Sequence, residues 1–152
     1  MNTRHSIALL AMGITLVLGA CAMEPMMARH HAVSARLLAA NEVPAVASNA
    51  RGSLDGTLNP HSGVLTWTLT YSDLSGLSGP ATGAHFHGPA MAGQNAGVVL
   101  PLDGSLVSPV RGSATLDKAQ QAEVKAGRWY VNVHTAAHPG GEIRGQLALM
   151  RP

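Results

Sequence analysis

Apolar and polar residues alternate along most of the chain from about residue 33 onward, which is the pattern of half-buried β-strands. The clearest example is the segment 64–72, in which Leu65, Trp67, Leu69 and Tyr71 alternate with threonines and serine. Similar segments, separated by turn residues, are predicted at 33–40, 50–58, 81–88, 98–102, 110–116, 128–135 and 142–150. The pattern predicts an all-β protein with an antiparallel Greek-key β-sandwich.

One segment favours a helix instead of a strand. Residues 117–126 begin with Asp117, whose side chain can accept a hydrogen bond from the first helical turn as an N-cap. Gly127 follows the segment as a helix stop. The sequence therefore predicts one short helix in an otherwise β-rich fold.

The N-terminus has the pattern of an export signal. A basic start at residues 1–5 precedes the apolar run 7–18, which is too short to span a bilayer as a permanent helix. The sequence Leu18-Gly19-Ala20-Cys21 resembles the lipobox of bacterial lipoproteins, which implies that Cys21 becomes the mature N-terminus and carries lipid. An ordinary secretory signal cut nearby is the alternative. We expect residues 1–20 to be a signal peptide.

The residues after the predicted cleavage site suggest where the mature protein lies. Cys21 is followed by Ala22 rather than aspartate, which by analogy with bacterial lipoproteins favours the outer membrane. We therefore expect a lipid-anchored protein of the cell envelope that faces the periplasm or the cell surface. The segment 21–33 is rich in Met and His and is interpreted as a tether, with an auxiliary copper-binding segment as the alternative.

Composition limits the partners of the remaining domain, residues 34–150. The net charge is +2 and only 12% of residues are charged, which is too few for a nucleic-acid surface. Cys21 is the only cysteine, so no disulfide can form within one chain. The fold must be stabilised by its core alone, or by a core and a metal.

Three histidines carry the candidate chemistry. In a strand, residues i and i+2 point to the same face, so His85 and His87 project together while Phe86 turns to the core. In the segment 128–135, Val131 and Val133 are expected to face inward, which leaves Asn132 and His134 on the other face. If the two strands are neighbours, three imidazoles can converge on an outward, exposed face and bind Cu(II) or Zn(II).

Other residues near these segments have candidate supporting roles. His138 or Met91 could supply a fourth metal ligand, and Glu142 could accept an imidazole N–H and so orient a ring. Arg144 could steer an anion toward the metal or pair with Glu142, and we favour the pairing. The alternative for the histidines is that they only form hydrogen bonds with the backbone.

Four sequence blocks resemble a known family. They are Asn-Glu-Val-Pro at 41–44, Ala-His-Phe-His-Gly-Pro at 84–89, Gly-Arg-Trp-Tyr-Val-Asn-Val-His-Thr at 127–135, and Pro-Gly-Gly-Glu-Ile-Arg-Gly-Gln-Leu at 139–147. In this order they resemble the CHRD domain, named after chordin, which also occurs alone in bacterial exported proteins. The resemblance implies an antiparallel β-sandwich and says little about activity, because fold does not imply function.

A looser likeness links the histidines to copper–zinc superoxide dismutase. Its copper site also uses a His-x-His strand, a later Val-His segment and an arginine near the final strands, which here implies His85, His87, His134 and Arg144. The bridging histidine, the zinc ligands and the disulfide cysteines of that enzyme have no evident counterpart in this sequence. The likeness supports an immunoglobulin-like or dismutase-like sandwich more than it supports dismutase activity.

Three functions follow from these observations. The favoured one is a non-enzymatic, lipid-anchored protein that binds a metal ion, with copper preferred and zinc as the alternative. The second is a metal-free sandwich whose loops bind an envelope protein or a glycan. The third is a dismutase-like redox enzyme.

Overall fold

A computed structural model of the chain describes residues 30–74 and 80–150. The predicted signal peptide 1–20, Cys21 and most of the 21–33 tether lie outside these residues. Within the described ranges, no helix is long and apolar enough to cross a membrane.

The described residues form strands, one 3₁₀ turn and one short helix, which confirms the predicted all-β class. The strands are β1 His31–Leu38, β2 Arg51–Leu58, β3 Val64–Ser72, β4 Ala81–His87, β5 Val98–Pro101, β6 Val110–Thr115, β7 Tyr130–Thr135, β8 Ile143–Gln146 and β9 Ala148–Met150. The 3₁₀ turn is Ala39–Asn41 and the helix α1 is Lys118–Lys125. The predicted final strand is divided at Leu147, whose backbone N–H donates to the carbonyl of Trp129 instead of to a neighbouring strand.

The strands form one curled antiparallel sheet. Its order is β5-β4-β7-β8-β1-β2-β3-β6, with β9 beside β1, so several neighbours are far apart in the chain. Trp67 on β3 nevertheless packs edge-on against Phe86 on β4, with ring centroids 5.2 Å apart. Because β3 and β4 are distant in the sheet order, this contact shows that the sheet folds over and packs on itself as a sandwich.

The core lies between the two halves of this folded sheet. One half contributes a set of fully buried leucines, and the other contributes an aromatic and β-branched set. These side chains are Leu37, Leu54, Leu58, Leu65 and Leu69 on one side, and Phe86, Val131, Val133 and Ile143 on the other. The predicted inward direction of Phe86, Val131 and Val133 is confirmed, and Trp67 and Trp129 are buried in the same core.

The helix begins where the sequence predicts. Asp117 accepts a hydrogen bond from the backbone N–H of Gln120, and the Gln120 side chain accepts one from the N–H of Asp117. This reciprocal pair is a capping box. Trp129 donates its indole N–H to Glu123 at 2.8 Å, which attaches the helix to the start of β7.

The second face of the β4-β7-β8 half is only partly exposed: His85 and His134 are half-buried, and the rest of this face is covered by chain, which the sequence did not predict. That face was predicted to be exposed, but His87, Asn132 and Arg144 are only 8%, 3% and 2% exposed. Residues 88–97, between β4 and β5, lie over it and are held there by hydrogen bonds to His87 and Arg144. The expectation was wrong because alternation distinguishes the two faces of a strand but does not show what covers either face.

Candidate metal centre

The register between β4 and β7 brings the three histidines onto one face. His85 lies opposite Asn132, and His134 lies opposite Gly83. Residues directly opposite each other in an antiparallel pair project to the same side. Gly83 has no side chain, so the His85 ring can lean over it toward His134; a Cβ at Gly83 would lie 3.2 Å from the ring of His85.

The side-chain nitrogens of the three histidines converge closely enough to share a metal ion. One nitrogen from each of His85, His87 and His134 lies within 4.8 Å of the other two. The shortest of these contacts joins His85 Nδ1 to His134 Nε2 at 3.0 Å. Among the His, Cys, Asp and Glu residues of 30–74 and 80–150, this is the group that could hold a metal. The convergence proposed from the sequence is therefore present in the fold.

The ring orientations of two histidines are fixed by backbone carbonyls. His87 Nδ1 lies 3.0 Å from the carbonyl oxygen of Ala96, and His134 Nδ1 lies 2.9 Å from that of Pro139. A carbonyl oxygen can only accept, so both Nδ1 atoms carry a hydrogen. In the neutral rings the lone pair is then on Nε2, which is the atom that points into the cluster. This arrangement is characteristic of histidines that bind metals.

A buried carboxamide closes the floor of the cluster. Asn132 Oδ1 lies 3.0 Å from His87 Nε2 and 2.9 Å from His134 Nε2. The amide nitrogen of Asn132 faces Glu42, where it stabilises the charged form of that carboxyl group. A Cβ at Gly141 would overlap both Glu42 Oε1 and Asn132 Nδ2, so a glycine is needed where these two side chains meet.

The His87 ring packs on a stack formed by the Tyr130 ring and the Arg144 guanidinium. The His87 ring is parallel to the ring of Tyr130, at a centroid distance of 4.7 Å. The guanidinium of Arg144 lies on Tyr130, 3.4 Å from the ring centroid. Arg144 also donates to Asn95 Oδ1 at 2.9 Å and to the carbonyl of Gln94. Arg144 therefore supports the stack and holds the covering residues 88–97 in place.

Burial makes protonation of His85 and His134 unfavourable. Burial is the main cause that lowers the pKa of His85, and the neighbouring His134 and His87 lower it further while Asp103 opposes them. Burial also lowers the pKa of His134, although its hydrogen bond to the Pro139 carbonyl opposes this shift. For these two residues the neutral imidazole, which is the form that binds metals, is thus favoured in the folded protein.

The residues expected to assist the histidines differ in their burial and contacts. His138 is outside the group that could hold a metal, and Met91 is 56% exposed on the covering residues. The Glu142 carboxylate accepts from Ser48 and from Thr135, at 2.7 Å and 2.8 Å. The guanidinium of Arg144 binds Asn95 and Gln94 rather than standing free, and its burial removes it from any anion in solvent.

Glu42 is the titratable group most strongly shifted toward neutral pH near this site. Replacing it with glutamine is expected to flatten the pH dependence of stability in the metal-free protein. Burial raises the pKa of Glu42 from 4.5 to about 7, while Arg144 and the Asn132 amide act in the opposite direction. The folded state thus binds this proton more tightly than the unfolded state. Its contribution to stability is complete below pH 4.5 and is lost as the pH rises through 7.

The measurement is denaturant unfolding of wild type and Glu42→Gln at several pH values. Between pH 4.5 and 8, wild type should lose roughly 2–3 kcal/mol that the variant keeps. Comparing the two proteins cancels the contribution of the histidines, which titrate in both. If the free energy of unfolding changes with pH by the same amount in both proteins, the raised pKa of Glu42 is contradicted.

The family can now be assigned. A family model described as the CHRD domain matches residues 33–147. The chain belongs to the CHRD domain family. No curated protein and no solved structure gives a significant match. The match includes β4, β7 and β8, so the histidine cluster lies within the CHRD domain and not in an added segment.

Sequence reasoning did not identify three residues that build this CHRD site. Tyr130, Asn132 and Glu42 were not assigned roles in it, although Asn132 was placed on the same face as His134. A usable signal was present for Asn132, since residue i+2 along the strand is His134 and both share a face. The same two-residue period places Tyr130 on this face, whereas Glu42 enters the site only through long-range contacts.

Proposed function

We propose that this CHRD-domain protein is exported, anchored to the cell envelope by a lipid on Cys21, and binds a divalent transition-metal ion without catalysing a reaction. Copper is the favoured ion and zinc is the alternative. The metal ligands are His85, His87 and His134.

The observation that carries the proposal is the orientation of the histidine rings. The Nδ1 atoms of His87 and His134 are both held by backbone carbonyls, so both Nε2 atoms face the cluster, 2.9–3.0 Å from the buried Oδ1 of Asn132. Together with one nitrogen of His85, they lie within 4.8 Å of one another, close enough to share one ion. Burial lowers the pKa of His85 and of His134, which favours the neutral, metal-binding form of these two rings.

The donor type favours copper over the other divalent ions. Imidazole binds Zn, Cu, Fe and Ni, and for a given set of such donors Cu(II) is bound most tightly in the first-row series. The location of the chain in the cell envelope is supported by the lipobox-like residues Leu18-Gly19-Ala20-Cys21. The competing function is a metal-free domain whose surface binds a protein or glycan.

The experiment is a metal titration of the full chain, purified without a polyhistidine tag. Wild type should bind one Cu(II), and Zn(II) more weakly, by isothermal titration calorimetry. The double variant His85→Ala/His87→Ala removes two of three ligands, so its Cu(II) affinity should fall more than about 100-fold. The matched control is His30→Ala/His31→Ala, which removes two histidines from the N-terminal segment and should leave the affinity within a factor of two.

Circular dichroism and thermal unfolding of each variant would show that the comparison is between folded proteins. Equal Cu(II) binding by wild type and the His85→Ala/His87→Ala variant would contradict the proposed site. Loss of binding only in His30→Ala/His31→Ala would place the metal on the tether instead.

A further inference from the structure

We infer that the side-chain oxygen of Asn132 is the fourth donor of the metal site, and that it makes the site select Cu(II) over Zn(II). This inference rests on the proposed metal-binding function and deepens it. It gives a role to a residue outside the three histidines and predicts which ion the site prefers.

The position of Asn132 is the first step. It lies on β7 opposite His85, two residues before His134, and only 3% of it is exposed. Its Oδ1 atom is within 3.0 Å of the coordinating nitrogens of both His87 and His134. A donor held this close to two metal ligands is within reach of any ion that those ligands share.

The orientation of the amide is the second step. Its nitrogen faces the Glu42 carboxyl group, which can accept a hydrogen bond, and its oxygen faces the histidines. The turned amide would place its oxygen against the Glu42 carboxyl group, which is unfavourable when that group is ionised. Gly141 leaves the room that Glu42 and Asn132 need to meet in the observed orientation.

The spacing of the donors is the third step. Along the path His85 Nδ1, His134 Nε2, Asn132 Oδ1 and His87 Nε2, successive atoms are 3.0, 2.9 and 3.0 Å apart. Donors about 2.05 Å from a metal lie about 2.9 Å apart at right angles and about 3.3 Å apart in a tetrahedron. These three adjacent spacings are closer to the right-angle value, which Cu(II) prefers, than to the tetrahedral value that Zn(II) prefers. The three imidazole nitrogens, which lie within 4.8 Å of one another, would draw together around the ion.

The chemistry of the oxygen is the fourth step. An amide oxygen is a hard donor, whereas the reduced ion Cu(I) prefers thiolate and thioether sulfur. The thioether-bearing Met91, on the residues that cover the site, is 56% exposed. Three imidazoles with one amide oxygen therefore suit the oxidised ion Cu(II).

The test uses two variants of Asn132 in the full chain, with Cu(II) and Zn(II) as probes. Asn132→Leu keeps the approximate size and removes the donor, whereas Asn132→Asp keeps an oxygen at the same position. We expect Asn132→Leu to weaken Cu(II) binding at least 10-fold while Zn(II) binding changes less, so that the Cu/Zn preference narrows. Asn132→Asp should retain tight Cu(II) binding, which a purely structural role for the amide would not explain.

Electron paramagnetic resonance of the Cu(II) protein supplies a second readout. The spectrum of wild type should show three coupled nitrogens and a tetragonal signal, and Asn132→Leu should shift the copper hyperfine splitting while keeping the nitrogens. Circular dichroism and thermal unfolding confirm that both variants fold, and Asn132→Asp keeps the test decisive if Asn132→Leu does not.

Each outcome bears on a distinct claim. If wild type binds neither ion, the proposed metal-binding function itself is wrong. If wild type binds Cu(II) through the histidines and Asn132→Leu changes neither the Cu/Zn ratio nor the spectrum, only the role of Asn132 is overturned. Tighter Cu(II) binding by Asn132→Leu would also overturn the role of Asn132 as a ligand. In that case the wild-type amide would donate hydrogen bonds to the imidazole nitrogens and compete with the metal for them.

Discussion

Replacing Phe86 with alanine is expected to lower the free energy of unfolding by about 3–5 kcal/mol. Phe86 is fully buried and lies between the two halves of the folded sheet. Its ring contacts Trp67 at 5.2 Å and Trp129 at 6.1 Å between centroids. Truncation would leave a cavity at the point where the halves meet, and the surrounding rings are too large to fill it by small shifts.

Denaturant unfolding monitored by tryptophan fluorescence measures this effect. The control Phe86→Leu keeps most of the volume and should cost much less, about 1–1.5 kcal/mol. Val98→Ala, at a position 52% exposed on the edge strand β5, should change stability by less than about 0.5 kcal/mol. A loss below 1 kcal/mol for Phe86→Ala would show that the two halves do not depend on this ring.

Replacing Arg144 with methionine is expected to cost about 2–4 kcal/mol and to weaken metal binding about 10-fold. The substitution removes the donor to the acceptors of Asn95 and Gln94, and it also removes the positive charge that lowers the pKa of Glu42. It also removes the group stacked on Tyr130. The covering residues would then loosen, and the Ala96 carbonyl that orients His87 moves with them.

Hydrogen exchange of the amides in 88–97 separates the local effect from the global one. In Arg144→Met these amides should exchange faster than the change in global stability requires. The control is Arg51→Met, which removes an exposed arginine whose salt bridge to Asp73 lies at the surface, and it should cost less than about 1 kcal/mol. Unchanged protection in 88–97 would contradict the clamping role of Arg144.

The predictions for Phe86 and Arg144 both concern how rigidly the fold holds the metal ligands. His85 and His87 lie on one face of β4, and Phe86 on its opposite face packs into the core. Metal ligands on β4 and β7 are therefore held by the same packing that holds the sandwich together. Rigid elements fix ligands more accurately than loops do, which suits a site that distinguishes between two similar ions.

Most of the strands could be predicted because each depends on its own local pattern. The segment 64–72 shows this best, since its alternating residues give a buried face and a wetted face without reference to any other strand. The helix was equally local, because Asp117 and the residues just after it supply both partners of its capping box. The break between β8 and β9 was missed, since it depends on the distant carbonyl of Trp129.

The residues of the site likewise divide into those that the local sequence pattern predicts and those that depend on distant contacts. His85 and His87 could be paired from spacing alone, because the two-residue period of a strand places them on one face. His134 could be added only on the assumption that β4 and β7 are neighbours, which the sheet order shows. The contribution of Glu42 depends on contacts across the domain, for which the local pattern carries no signal.

The sequence by itself determined the class of fold, the inward and outward faces of its strands, and the pairing of His85 with His87. These features follow from periodicity, which acts between residues a few positions apart. Only the tertiary structure decided that the polar face is covered, that backbone carbonyls fix the imidazole tautomers, and that Asn132 closes the cluster. Those features are set by long-range strand register and by the residues 88–97 that fold over the sheet, where burial and hydrogen bonding between distant parts of the chain determine the outcome.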